Sequence, residues 1–197
     1  MNIDWIFDIE IWYFVGYTSY MLTALQLLKD ELKSAREVFE GTVGDVTQEQ
    51  LHQLPGGKAL PLGAVYAHLI FSEDAIVQGM LQKKAPLSDS IMKGKTGTSL
   101  PMPAMDEKWS EANEEWSKNV KIDLSEFREY AKAVYAATDA YVNSLQDEDV
   151  EKVIDLGSWG KQTVAQLLSG FIIGHTYSLT GEIAALKGLQ GAKGYPF

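Results

Sequence analysis

In four stretches of the chain the apolar residues recur at intervals of three and four, a spacing that gathers them on one face of an α-helix. The first stretch covers about residues 18–40, and its stripe consists of Met21, Leu25, Leu28, Leu32, Ala35 and Phe39. A second helix is predicted from Pro61 to about residue 82. A third is predicted over about residues 124–146 and a fourth over about residues 163–189. The pattern therefore predicts four long helices.

The link between the first two helices is short and polar. Gly41 and Gly44 are predicted to end the first helix, and residues 46–61 form the linker. Within the linker, Thr47 and Gln50 have the spacing of a helix-capping pair, which predicts one short helical turn.

The link between the second and third helices, residues 83–121, is the longest and is rich in proline and glycine. A connection of this length usually contains structure of its own. A short amphipathic helix is predicted there by the spacing of Met105, Trp109, Ala112, Trp116 and Val120. Such a crossover allows the second and third helices to run parallel. We predict an all-α fold: a single domain over residues 1–197, a four-helix bundle with a long crossover between helices 2 and 3.

The N-terminal residues and the segment before the fourth helix differ from this helical pattern. Residues 1–16 are rich in aromatic side chains, and we expect a short strand-like or helical arm packed on the body or on a partner subunit. Residues 153–160 predict a brief extended stretch and a turn. Residues 11–28 carry no charge and reach the length of a membrane span, but their polar Thr18, Ser19 and Gln26 favour a buried core segment.

The composition narrows the class of protein. A content of 46% hydrophobic and 22% charged residues is globular, and a net charge of −10 argues against nucleic acid or an anionic membrane as partner. The chain has no cysteine, which excludes disulfides, thiolate metal sites and a cysteine nucleophile. Asp4, Asp8 and Glu10 stand where a signal peptide would be basic, so we expect a cytoplasmic protein.

His175 is the most informative residue of the fourth helix. It lies in a run without charged residues, 162–181, and helical spacing places it on one face with Leu168, Phe171 and Leu179. An imidazole on an apolar face needs a partner, because its nitrogen atoms lose water on burial. That partner is a metal, another side chain or a ligand.

His68 occupies an inward position on the second helix. Its stripe is made of small residues, Ala64, Ser72, Ala75 and Gly79, which leave room for a ligand or water. Glu73 and Asp74 are near in sequence but point away on a helical wheel.

The two inward histidines make an incomplete metal site. A divalent metal that performs chemistry typically has three protein ligands and one open position. One helical turn after His175 the residue is Leu179, which cannot coordinate a metal ion. Glu182 lies two turns after His175, and His52 reaches the site only if the linker folds over it. The alternative is that His68 and His175 are core histidines, hydrogen-bonded to each other, to hydroxyl groups or to water.

Several short motifs occur in an order and spacing that resemble the DinB-like superfamily, which includes bacterial thiol-dependent S-transferases. The motifs are Leu51-His52, the run from Pro55 to Gly63 leading into Ala67-His68-Leu69, Trp159-Gly160-Lys161-Gln162-Thr163, His175 followed by Thr180-Gly181-Glu182-Ile183, and the C-terminal Leu186-Lys187-Gly188-Leu189 with Gly191, Lys193, Gly194, Tyr195 and Pro196. The resemblance implies a four-helix bundle, commonly dimeric. It also implies a divalent metal held by one histidine of the second helix and two of the fourth: His68 matches the first ligand, His175 the second, and the third falls on Leu179.

The resemblance implies a bacterial metal-dependent transferase or hydrolase acting on a thiol or another small group. With His68 and His175 as its metal ligands, the site is expected to hold zinc, nickel or manganese weakly or not at all. The alternative is a non-catalytic member that binds a small molecule or serves in a stress response. A third hypothesis is a structural or interaction protein that acts through a homodimer surface and the aromatic N-terminal arm. Trp109 and Trp116 are candidates for a lid or for a dimer surface.

Overall fold

The computed structural model describes residues 22–103, 108–157 and 160–197. The predicted arm at residues 1–16 lies outside these ranges, as do Met105 and Trp159. Over the described residues the chain is mostly helical, with a two-stranded antiparallel sheet. No helix in these ranges has both the length and the apolar character needed to cross a membrane.

The α-helices are α1 (Ala24–Val43), α2 (Gln48–His52), α3 (Leu62–Asp74), α4 (Trp109–Asn119), α5 (Leu124–Ser144), α6 (Val164–Gln166) and α7 (His175–Leu189). A π-helical segment, Ala75–Leu81, directly continues α3, and another, Leu167–Gly174, joins α6 to α7. Short 3₁₀ turns occur at Leu87–Asp89 and Asp147–Glu151. The strands are β1 (Val153–Asp155) and β2 (Lys161–Thr163). The predicted helices are thus present, but two of them change their winding along their length.

Helix α1 differs from its predicted bounds at both ends. It begins at Ala24 because the Thr23 hydroxyl group accepts a hydrogen bond from the Gln26 N–H and caps the first turn. Gly41 lies inside the helix instead of ending it. A Cβ atom at this position would be 2.9 Å from Pro196 of the C-terminal tail, so the glycine provides space for that contact.

The side-chain caps agree with the predicted start signals. Thr47 and Gln50 form a reciprocal capping box at the start of α2, as predicted. Thr163, the last residue of β2, forms the same motif with Gln166 at the start of α6. The extended stretch predicted after residue 153 is the strand β1, whose pairing with β2 was not predicted.

Helices α1, α3, α5 and α7 pack around a shared core. Helix α7 contacts both α1 and α3, and α3 also contacts α5. Tyr66 of α3 is buried edge-on against Phe39 and Phe127, with ring centroids 5.3 and 4.9 Å away. Arg36 of α1 bonds Asp139 of α5 and connects these two helices. In α3 every residue except His68 is buried, and His68 is partly exposed.

Candidate ligand cavity and histidine pair

Helices α3 and α7 bring His68 and His175 together. Their ring centroids are 5.0 Å apart and the planes meet at 81°, so one ring presents its edge to the other. Each ring is partly buried. Residues that are 107 positions apart in sequence therefore meet in space.

The register of α7 differs from the one that α-helical spacing predicts. Leu168 is 2% exposed, whereas Phe171, predicted to share its face and that of His175, is 37% exposed. The reason is the π-helical segment Leu167–Gly174, whose wider turn changes which residues share a face, both within the segment and after it. The inward position of His175 thus depends on a turn that apolar periodicity does not reveal.

Neighbouring side chains hold His68 in place. Its ring lies 5.4 Å from that of Trp109, centroid to centroid, and its Nδ1 atom is 3.5 Å from the hydroxyl oxygen of Ser72. Burial, with a smaller contribution from the charge of His175, lowers the pKa of His68 to about 4. Burial also lowers the pKa of His175. Both rings are therefore neutral at pH 7, and each offers one hydrogen-bond donor and one acceptor.

The two predicted sources of a third metal ligand lie elsewhere. His52 is engaged at both nitrogen atoms: Nε2 accepts from the Ile122 N–H at 2.9 Å, and Nδ1 donates to the Gln48 carbonyl at 3.1 Å. These bonds hold α2 against the residues that precede α5. Glu182 is exposed on α7.

The position that the resemblance assigns to the third ligand is apolar. Leu179 is partly buried and packs against the hydrophobic core. Within residues 22–103, 108–157 and 160–197, no group of three histidine, aspartate or glutamate side chains is arranged to hold a metal ion. The donor set therefore does not fit a catalytic metal bound by three protein side chains.

The acidic residues next to His68 in sequence point away from it, as the helical wheel predicts. Glu73 is 3% exposed and forms an ion pair with Arg36 at 2.6 Å. Asp74 is 1% exposed and accepts hydrogen bonds from the backbone N–H groups of Leu87 and Ser88 and from the hydroxyl group of Tyr130. Asp74 thus fastens the beginning of the crossover to α3.

A cavity of about 620 Å³ opens beside His68, between α3 and the crossover. Its helical wall includes His68, Ser72, Ala75 and Met80. The α-helical spacing predicted that Gly79 would follow Ala75 on this face. The lining residue is instead Met80, five positions after Ala75, because the helix is π-helical there. His175 is not among the described lining residues.

The crossover supplies the opposite wall, which the sequence did not reveal. Its hydroxyl-bearing residues are Ser88, Thr96, Thr98 and Ser99, and its apolar ones are Pro86, Leu100, Pro101, Met102 and Pro103. Gly97 brings this wall close to α5: its φ is +72°, and a Cβ there would be 2.5 Å from the Phe127 nitrogen. The run Thr96-Gly97-Thr98-Ser99 between proline-rich segments is the signal that would have indicated a polar wall.

The two candidate tryptophans have different environments. Trp109, the first residue of α4, lines the cavity next to His68. Trp116 is 5% exposed, packs on Phe71 and anchors α4 to the core. Trp109 thus borders the cavity, whereas Trp116 packs in the core.

The chain is thus a mostly helical protein with a histidine pair and an adjoining cavity between α3 and the crossover. The family model of the DinB superfamily matches residues 31–178, more than half of the chain. The chain therefore belongs to the DinB superfamily. The matched range includes His68 and His175 and ends one residue before Leu179.

A solved structure shares this fold. A crystal structure described as that of a conserved protein from Enterococcus faecalis superposes with a TM-score of 0.68 at 22% sequence identity, covering 85% of this chain and 96% of that one. A search of curated proteins returned no match.

Proposed function

We propose that this DinB-superfamily chain binds a small organic molecule in the cavity beside His68 and does so without a resident catalytic metal. The observation that carries the proposal is the cavity itself. Its volume of about 620 Å³ lies within the roughly 300–1,000 Å³ of sites that enclose small molecules. It also combines apolar walls with a few polar groups, which is the composition of such sites.

The polar groups of the cavity are able to orient a ligand. His68 is neutral and adjoins Ser72, while Thr96 and Thr98, which bond each other at 2.9 Å, face them from the crossover. Hydroxyl and imidazole groups both donate and accept hydrogen bonds, so they bind a polar ligand atom without fixing its charge. These groups therefore support the recognition of a polar ligand atom in the cavity.

A metal-dependent thiol or small-group transferase or hydrolase is the second candidate. The 5.0 Å separation of His68 and His175 favours it, since both rings lie where two ligands of one ion would be. Against it stand Leu179 at the third position and the engagement of both His52 nitrogen atoms. Two imidazoles bind a divalent ion far more weakly than three, so we place this candidate second.

Ligand-induced thermal stabilisation in excess chelator tests the proposal. A small molecule present at 100 times its Kd should stabilise the protein by about 2.7 kcal/mol. Ala75→Phe places a large ring inside the cavity and should abolish the shift, whereas Ala140→Phe makes the same change on the exposed face of α5 and should preserve it.

Metal binding is the result that would contradict the proposal. Stoichiometric binding of zinc, nickel or manganese by the wild-type protein, with ligand effects that appear only after metal loading, would overturn the proposal in favour of the metalloenzyme.

The arrangement of the chain around the site is also proposed. We infer that α1, the α3 helix with its π-helical extension, α5 and the α6–α7 helix form a four-helix bundle, with residues 83–121 as the crossover and residues 1–197 as a single domain. The packing of α7 on α1 and α3, and of α3 on α5, supports it. The homodimer implied by the resemblance is tested by light scattering on the full chain, where the mass of one chain would refute it.

A further inference from the structure

We propose a ligand class for the cavity: an uncharged aromatic molecule bearing a hydroxyl group. This proposal rests on the proposed small-molecule site. Its ring would lie against Trp109 and its hydroxyl group would bond to His68. Phenol is the simplest probe of this class.

The aromatic half of the proposal comes from the apolar surfaces of the cavity. Trp109 presents its ring beside His68, with the two planes tilted by 43°. Phe71 and Met102 also line the cavity, and aromatic and thioether groups both pack favourably against aromatic rings. A flat ligand ring covers these surfaces better than a flexible chain, because it loses less conformational freedom on binding.

The hydroxyl group of the ligand is matched to His68. The contact from His68 Nδ1 to the Ser72 hydroxyl oxygen, at 3.5 Å, is at the long limit of a hydrogen bond, so it leaves the imidazole able to bind a better-placed partner. A neutral imidazole can accept the proton of a phenolic O–H or donate to its oxygen atom. A purely apolar ligand would leave these groups without water and without a partner, which is unfavourable.

The charge of the ligand follows from the charges of the lining. Among the described lining residues the charged ones are Asp89 and Lys93, which have opposite signs and are both exposed. Neither sign predominates among these, and the described partners of His68, which are Ser72, Trp109 and His175, carry no fixed charge to neutralise a charged ligand. Burying an unpaired charge is costly. The cavity should therefore prefer phenol to benzoate or benzylamine.

A comparison of four ring compounds of similar size tests the inference. Phenol, toluene, benzoate and benzylamine are titrated into the full-length protein by NMR, following the ring protons of His68 and Trp109 together with Kd. We expect phenol to bind about tenfold more tightly than toluene, the difference that one hydrogen bond provides, and more tightly than either charged compound. His68→Phe keeps a ring beside Trp109 and should remove the preference for phenol without weakening toluene.

The possible failures are distinguishable. If benzoate or benzylamine binds best, or if His68→Phe retains the preference for phenol, the ligand class is wrong while the small-molecule site stands. If none of the compounds shifts the His68 or Trp109 resonances, or if Ala75→Phe binds them as well as wild type, both the ligand class and the cavity as a binding site are wrong. The comparison of the four compounds is made on wild-type protein, so the outcomes that it decides do not depend on the variants folding.

Discussion

Replacing Asp74 by asparagine should release the crossover from α3 and open one wall of the cavity. The Asp74 side chain is 1% exposed. One carboxylate oxygen accepts from the Leu87 N–H at 2.8 Å, and the other accepts from the Ser88 N–H at 2.9 Å and from the Tyr130 hydroxyl group at 2.8 Å. An asparagine keeps only one oxygen atom and turns an NH₂ group toward donors. At least one backbone N–H of the crossover would then lose its partner.

The size of the effect follows from the number of bonds lost. A hydrogen bond to a charged group contributes about 1.5–3 kcal/mol, and a buried donor without a partner adds its own cost. Tyr130→Phe removes a single bond and should lower the free energy of unfolding by about 2 kcal/mol. Asp74→Asn removes at least one bond, turns an NH₂ group toward a buried N–H donor and takes the charge away from the remaining bonds, so it should cost about 3–5 kcal/mol, which is a large part of the roughly 5–15 kcal/mol stability of an ordinary domain.

Urea denaturation measures both costs, and amide hydrogen exchange locates them. In Asp74→Asn the amides of Leu87 and Ser88 should exchange much faster than those in the centre of α3, and phenol binding should weaken. Tyr130→Phe is the matched control, because it retains both backbone bonds and should leave the two amides protected. Unchanged protection at Leu87 and Ser88 in Asp74→Asn, despite a loss of global stability, would refute this account of the crossover.

Three further predictions concern the histidines and the π-helical segment. First, burial lowers the pKa of His68 from 6.5 to about 4, so the unfolded state takes up the proton before the folded state does. As the pH falls from 6.5 to 4, wild type should lose up to about 3 kcal/mol more unfolding free energy than His68→Gln. Parallel pH profiles of the two proteins in urea denaturation would contradict this. Second, Leu179→His should create a zinc site with His68 and His175 and raise Tm only when zinc is present, whereas a zinc-independent Tm would show that the rings do not converge. Third, Gly170→Ala should stabilise the π-helical segment by about 0.5–1 kcal/mol, because nothing lies within 4 Å of its added Cβ atom. Gly174→Ala should lose that gain, since its Cβ atom would be 3.2 Å from a backbone carbonyl oxygen. Equal Tm values for the two variants would contradict this difference in packing.

The positions of the helices could be predicted because their apolar stripes are regular. In α1 the predicted stripe residues Leu28, Leu32, Ala35 and Phe39 are all buried. Such a stripe is a local signal, since each helix must bury one face whatever its neighbours are. The same rule predicts that His68 and His175 both face inward, but the observed position of His175 also depends on the π-helical segment that precedes it.

The winding of two helices and the cavity wall could not be predicted in this way. The spacing rule assumes 3.6 residues per turn, and it fails at Phe171, where a π-helical segment rotates the face. The wall formed by the crossover depends on hydrogen bonds that Asp74 accepts from residues 13 and 14 positions further along the chain. No periodicity links those positions. Only the tertiary fold brings them together.

The two histidines are not equivalent in this structure, and that asymmetry separates the two candidate functions. His68 lines the cavity, whereas His175 contacts its ring and is absent from the described lining. In a metal centre both would be ligands, so His68→Phe and His175→Phe should impair the protein alike. In a ligand site only His68 touches the bound molecule. His175→Phe should then keep phenol affinity within about threefold of wild type, while His68→Phe loses about tenfold, which is the cost of one hydrogen bond. Equal losses from both variants, measured as Kd in chelator, would contradict the ligand site, because His175 is not among the described residues that line the cavity.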